Sequence, residues 1–364
     1  MLVVIRADAS QVIGSGHIMR CLTLARRLKT QGADVCFICR DLSGNLSEFI
    51  YSQGFEVYLL PRLGVNELDL TKTELPWEEP LLKLDAVQTM NVIKGLNQDI
   101  ASIIVDHYRI DYRWQLYFKA QVRNIMVIDD LANRRHECDI LLDQNYYPQA
   151  QGRYGGLVPE TCSLFLGPRY LLLRDEFYQT QKNMRIRTGN VLNVLIFYGG
   201  ADPTHETEKC LKALRDSFRQ KFVLHVVTAH SNSQREMIKE ICASKPNIHY
   251  HCQVSNMAEL INKADLAFGA GGSNTWERCF LGLPSIVTIT AKNQLETTVA
   301  LSELGAICNL GWYEGVTGEA LVKATKEFIT EPSKLRDMAN KSLELIGINN
   351  SLGIDELVKK ILQD

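Results

Sequence analysis

Leu2-Val3-Val4-Ile5-Arg6-Ala7, followed by Gly14-Ser15-Gly16-His17-Ile18-Met19-Arg20-Cys21-Leu22-Thr23-Leu24-Ala25-Arg26-Arg27-Leu28, is the stretch on which the fold turns. The succession of Val, Ile and Leu predicts a strand buried on both faces, the kind that builds parallel sheets. Ile18, Cys21, Leu22, Ala25 and Leu28 then recur at helical spacing, so Gly14 and Gly16 mark a strand-to-helix turn and His17 opens the helix. The first turn of a helix carries unpaired N–H groups and positive potential, which favours imidazole over imidazolium. A neutral imidazole accepts a proton from water. The ordinary alternative is that His17 caps or packs the turn. The two glycines, which let a ligand approach the backbone closely, shift the balance toward chemistry. Gly14-Ser15-Gly16 lacks the third glycine of a dinucleotide fingerprint, Arg20 standing near its place, so no nicotinamide and no other cofactor is expected.

Outward from this turn the pattern repeats. Ala33–Cys39, Phe55–Leu60, Ser102–Asp106, Asn124–Asp130 and Cys138–Asp143 read as strands, with helices over Leu46–Gln53 and Ala86–Leu96. The connection from Pro61 to Pro80 is long and rich in charge, the kind of loop that is often functional. Strand ends carry active-site groups in open α/β sheets, which makes Asp106, His107, Tyr108, Asp129 and Asp130 candidates to share a crevice with His17. For each acid the competing role is a helix cap or turn. Gln179 to Asn190 is polar, basic and aperiodic and reads as a linker between an N-terminal domain, 1–183, and a C-terminal domain, 190–364. The second half restarts at Val191–Tyr198 and Gly199-Gly200-Ala201-Asp202, giving two similar α/β domains whose facing turns would frame a cleft. The last segment, with Ile354, Leu357, Val358, Ile361 and Leu362 at helical spacing, either crosses back onto the first domain or caps the second.

A length of 364 residues agrees with two cores rather than one. With 46% hydrophobic and 23% charged residues and a net charge of -2, the chain offers no electrostatic reason to bind nucleic acid or an anionic membrane. No apolar run is long enough to span a bilayer and no leader precedes the first strand, so a cytoplasmic protein is expected. The ten cysteines are scattered through apolar segments as small hydrophobes, and Cys36 and Cys39, three apart on a strand, point to opposite faces. No metal site is expected: His249 and His251 share a strand face but lack a third nearby ligand and suit a solvent-facing edge.

The most specific segment is Gly269-Ala270-Gly271-Gly272-Ser273-Asn274-Thr275-Trp276-Glu277-Arg278, closed by Gly282 and Pro284. Glycines after a strand, with Ser273 or Asn274 placed to cap the next helix, make an anion site for phosphate. Glu277, one turn in, suits a ribose hydroxyl pair, its alternative being a surface ion pair. Asn293 and Gln294 follow the next strand and offer amides to a sugar, or cap a helix.

The pattern from Gly271 through Glu277, Gly282, Pro284 and Gln294 resembles the nucleotide-sugar domain of two-domain glycosyltransferases of the GT-B type, in which two Rossmann-like domains face each other. Over nearly its whole length the chain is similar to the hydrolases of pseudaminic acid biosynthesis that release UDP from UDP-2,4-diacetamido-2,4,6-trideoxy-β-L-altropyranose. The resemblance is carried by Arg6–Ser10 before Gly14-x-Gly16-His17, Arg20, Val105–Tyr108, Ile128–Asp130, Cys138–Leu142, Tyr170–Phe177, Gly199-Gly200-x-Asp202 and Asn293-Gln294. It implies cleavage at the anomeric carbon by water, with inversion and without a metal. His17 would be the base, with Asp8 or Asp106 orienting it. UDP would lie near Gly199, Gly200, Gly271, Gly272, Ser273 and Glu277, with Gly14, Gly16, Arg20, Asp106, Tyr108, Asn293 and Gln294 completing the substrate contacts. The Pro61–Pro80 connection does not align with that family, and Trp276 stands where some of its members carry asparagine. Two other functions fit the same donor: a glycosyltransferase with a hydroxyl acceptor, and a binding protein without chemistry. The sequence implies no oligomeric state.

Overall fold

The apolar runs become parallel strands, and the central ones, such as Leu2–Ala7, Ile100–Asp106 and Leu266–Ala270, are buried on both faces. In the computed structural model, which describes residues 1–63, 76–218, 221–347 and 350–363, the first seven strands form one sheet. They are β1 (Leu2–Ala7), β2 (Asp34–Arg40), β3 (Glu56–Leu60), β4 (Ile100–Asp106), β5 (Val122–Ile128), β6 (Ile140–Asp143) and β7 (Ser163–Leu166), in the order β3-β2-β1-β4-β5-β6-β7. The second sheet joins β8 (Asn193–Phe197), β9 (Val223–Thr228), β10 (Ile248–Cys252), β11 (Leu266–Ala270), β12 (Ser285–Ile289) and β13 (Cys308–Trp312) in the order β10-β9-β8-β11-β12-β13. All the pairings are parallel. Both sheets therefore reverse strand order once, between β1 and β4 and between β8 and β11, and such reversals are where open α/β sheets bind ligands.

The charge inside the first apolar run has its own explanation. Arg6 is wholly buried and is held by Asp8 at 2.5 and 3.0 Å and by Asp85 at 2.7 and 3.3 Å. Asp85 also accepts from Arg40 and from Trp114 Nε1 at 2.9 Å. Two buried cations are thus matched by two buried anions, which staples the Glu79–Gly95 helix to β1 and β2. Removing one member would leave an uncompensated charge, a loss of about 3–5 kcal/mol.

The chain divides into one unit of Met1–Leu172 with Asn349–Asp364 and a second of Leu173–Ile348, so the boundary differs from the one the sequence suggested. The basic stretch expected to be a linker is packed on the second unit. Arg187 donates to the carbonyls of Ile261 at 2.8 Å, Ala264 at 3.1 Å and Gly282 at 3.1 Å, acceptors left free by the ends of neighbouring helices. The segment lacks apolar periodicity because it is held by guanidinium-to-carbonyl bonds and not by a buried stripe. At the other end, the Asn350–Leu362 helix returns to the first unit, burying Ile354, Leu357, Val358 and Ile361 there. Residues 349–364 therefore leave the C-terminal domain to which the sequence had assigned them. Residues 64–75 of the Pro61–Pro80 connection lie outside the described residues. Among the described residues no helix is long and apolar enough to cross a membrane.

Candidate active site

The strand reversal of the first sheet brings together residues far apart in the chain. Ala7 pairs with Asp106, the last residue of β4, and the turn after β1 leads into the Gly16–Thr30 helix with His17 in its first turn. Gly14 adopts φ +81°, which disfavours any side chain, while a Cβ at Gly16 would meet nothing within 4 Å.

His17 Nδ1 lies 2.6 Å from Asp106 Oδ1. Arg20, one turn further on, donates through Nε to Asp106 Oδ2 and through a terminal nitrogen to Oδ1, both at 2.6 Å, and through its other terminal nitrogen to Asp130 Oδ2 at 3.0 Å. The Tyr108 ring meets His17 edge-on with centroids 4.6 Å apart, and its hydroxyl donates to Asp130 at 3.2 Å. Burial alone would push the Asp106 carboxyl up, but Arg20 and then His17 hold it well below the ordinary carboxylate range. An ionised carboxylate only accepts, so in the 2.6 Å contact Nδ1 carries the hydrogen and gives it to Asp106, and the Arg20 terminal nitrogen 3.3 Å from Nδ1, itself only a donor, is not bonded to it. The lone pair is then on Nε2, the atom a general base uses.

This geometry places several of the sequence candidates. Asp8 does not orient His17, being taken by Arg6, by the Arg40 N–H at 2.7 Å and by His107 Nε2 at 3.2 Å. His107 is accordingly a buried member of that network, its ring tilted against Trp77 with centroids 4.7 Å apart. Asp129 turns away to Arg134 at 2.9 Å and caps the Ala132 N–H at 2.8 Å. Arg20, expected to touch substrate, has its guanidinium committed to two carboxylates and is only 11% exposed. Its place is behind the imidazole, fixing Asp106.

In the second unit the matching reversal collects the glycine turns. Gly199, directly after β8 and Tyr198, has φ +100°, and a Cβ on Gly200 would lie 3.0 Å from Ala229 Cβ. After β11, a Cβ on Gly271 would fall 2.1 Å from Thr298 Oγ1, and one on Gly272 would lie 3.6 Å from Gln294 Nε2. Gln294 accepts through Oε1 from Thr290 N at 3.0 Å and Thr290 Oγ1 at 3.2 Å, which aims its amide nitrogen toward the turn. Asn293 is exposed beside it. Ser273 occupies the position before the Asn274–Phe280 helix, yet its side chain does not cap it, because the local backbone is already right-handed helical. Asn274 donates to Glu277 instead. Glu277 also accepts from Arg174 at 3.3 Å, and its carboxyl is shifted upward by burial despite that cation. Arg174 belongs to the Tyr170–Phe177 motif, where nothing local announces a partner 103 residues away.

His225 is the third imidazole that the sequence did not place beside His249 and His251. Its ring stacks on both with centroids 5.3 Å apart, and its Nδ1 lies 3.1 Å from His251 Nε2. β10 is the sheet edge, as expected of it. Among the described residues no three of His, Cys, Asp and Glu are grouped to hold a metal ion.

Comparison with known proteins agrees with this architecture. Residues 194–356 match the glycosyltransferase family 28 C-terminal domain. The chain is 28% identical over 305 residues to UDP-2,4-diacetamido-2,4,6-trideoxy-beta-L-altropyranose hydrolase of Campylobacter jejuni, covering 84% of this chain and 97% of that one. It is 24% identical over 333 residues to the spore coat polysaccharide biosynthesis protein SpsG of Bacillus subtilis, covering 88% and 87%. Among solved structures, MurG of Acinetobacter baumannii matches with a TM-score of 0.66 at 16% identity over 99% of each chain. The fold is GT-B: two parallel-sheet units of Rossmann-like order.

Proposed function

We propose that this chain is a nucleotide-sugar hydrolase that cleaves UDP from UDP-2,4-diacetamido-2,4,6-trideoxy-β-L-altropyranose, a step of pseudaminic acid biosynthesis, in the cytoplasm and without a metal ion. The observation that carries the reading is the 2.6 Å contact of His17 Nδ1 with Asp106, which points Nε2 away from the carboxylate beside a glycine turn. The similarity to the Campylobacter jejuni hydrolase supports the substrate class.

In this mechanism His17 Nε2 takes a proton from water as the oxygen attacks C1 of the sugar. The bond from C1 to the diphosphate oxygen breaks, its electron pair leaves with UDP, and the anomeric configuration inverts. The imidazolium so formed is stabilised by Asp106 and returns its proton to solvent. Gly199, Gly200, Gly271, Gly272 and Ser273 present backbone to the diphosphate, Glu277 accepts from the ribose hydroxyls, and Asn293 and Gln294 meet the sugar. Tyr108 borders the imidazole. General base catalysis of this type contributes typically about 10²- to 10⁴-fold.

The test is incubation of the purified protein with the UDP-sugar in EDTA, followed by NMR. Equal amounts of UDP and free sugar are expected, the sugar appearing first as the inverted anomer, and His17→Ala should slow the reaction at least about 10²-fold. Release of UDP only when a hydroxyl acceptor is added would make it a glycosyltransferase. Binding without release would make it a carrier, and an undiminished His17→Ala would remove the base.

A further inference from the structure

The second glycine turn rests on a buried cation with no carboxylate in hydrogen-bond contact. Arg278 is 1% exposed, and its donors are given to neutral oxygens. Nε donates to Ser285 Oγ at 3.1 Å, one terminal nitrogen to Asn274 Oδ1 at 3.0 Å, and the other to Ala270 O and Thr275 Oγ1, both at 3.0 Å. Among the described residues no carboxylate forms an ion pair with it; Glu277, the neighbouring acid, is engaged by Arg174 and acts on Arg278 only through its field. The first unit treats its buried arginines otherwise. Arg6, Arg20, Arg40 and Arg134 each touch an aspartate.

A buried charge with no bonded counter-ion is costly even after relaxation. Dipoles from four acceptors offset part of this, and burial lowers the guanidinium only to about 10, so it stays charged at neutral pH. Its position is specific: a Cβ on Gly269 would lie 2.6 Å from its terminal nitrogen, and its partners Ala270, Asn274 and Thr275 flank Gly271, Gly272 and Ser273. The glycine at 269 is what lets the guanidinium run under the turn.

We propose that Arg278 is a positioning residue whose missing counter-charge is the diphosphate of the bound nucleotide, attracted through the turn that the guanidinium supports. This rests on the nucleotide-sugar reading given above and adds to it a fixed positive charge that never touches the ligand.

The experiment compares UDP with uridine, which lacks the diphosphate, by titration calorimetry or ligand-observed NMR on the full chain. For Arg278→Met, UDP affinity should fall at least about tenfold, as expected for losing an opposite charge a few ångströms away in a site of intermediate dielectric, while uridine affinity stays within about twofold. Arg278→Lys, which keeps the charge and loses most of the hydrogen bonds, should keep the wild-type ratio of UDP to uridine affinity within about threefold. If Arg278→Met binds UDP as the parent does, the charge has no such role. If Arg278→Lys loses UDP affinity more than about threefold relative to uridine although the charge is kept, the residue acts through its hydrogen bonds to the turn and not through its charge; this comparison stands even if Arg278→Met does not fold. A parent protein that binds neither ligand removes the nucleotide reading and this proposal with it, whereas normal binding by the parent and Arg278→Met removes the proposal alone.

Discussion

His17 and Asp106 are 89 residues apart in sequence and 2.6 Å apart in space. The histidine was legible because glycines and a helical stripe surround it. Its partner was not, since Asp8 and Asp106 both end strands, and only the Ala7–Asp106 register and the capture of Asp8 by Arg6 decide between them. Arg20 shows the same limit: an arginine one turn after His17 suggests a ligand contact, and its pairing with Asp106 and Asp130 appears only once the sheet is formed. Asp106→Asn tests the dyad. With a carboxamide, the imidazole loses the fixed anion that sets its tautomer and stabilises its protonated form, so kcat should fall about 10²- to 10⁴-fold. KM should move only a few fold, because Asp106 is buried behind His17. Steady-state kinetics checks both, and a kcat within about threefold of the parent would end the orienting role.

Strands and helices were read from apolar pattern, and the failures occur where pattern is replaced by polar bonds. The 179–190 stretch carries no stripe because Arg187 anchors it to carbonyls, a device invisible to periodicity. The β9–β10 edge is another such place, since a histidine on the neighbouring strand cannot be aligned with His249 before the register is known. That stack has a pH consequence. Burial first, then His251, His249 and Lys263, push His225 down to about 4 from an ordinary value of 6.5. The unfolded chain therefore takes up a proton before the folded one does, so stability is complete above pH 6.5 and is lost as pH falls toward 4. The ring is about half buried, so the loss is discounted to on the order of 1 kcal/mol. Urea denaturation of the second unit should show that loss between pH 7 and pH 4.5, and His225→Phe should reduce it. An equal acid sensitivity in the variant would place the effect elsewhere.

At the scale of the molecule, two similar halves were apparent from two strand-and-glycine turns, but not which half owns the last helix. Its apolar stripe fits either sheet, and the decision lies in a close approach: a Cβ on Gly353 would fall 2.2 Å from the carbonyl oxygen of Arg169. Alanine in a helix is ordinarily better than glycine by about 1 kcal/mol. Here the backbone contact outweighs propensity, and Gly353→Ala should destabilise by about 1–3 kcal/mol. Hydrogen exchange should quicken in peptides from residues 1–172 and leave residues 173–347 unchanged. Slower exchange in the first region would mean that the contact is not made.

The return of the Asn350–Leu362 helix to the first unit also orders events during synthesis. A ribosome that has delivered residues 1–172 has made every strand of the first sheet, yet the surface meant for that helix stays bare while Leu173–Ile348 is translated. The nascent chain must complete its later half before it can finish its earlier one, so the imidazole-bearing unit is the last to close.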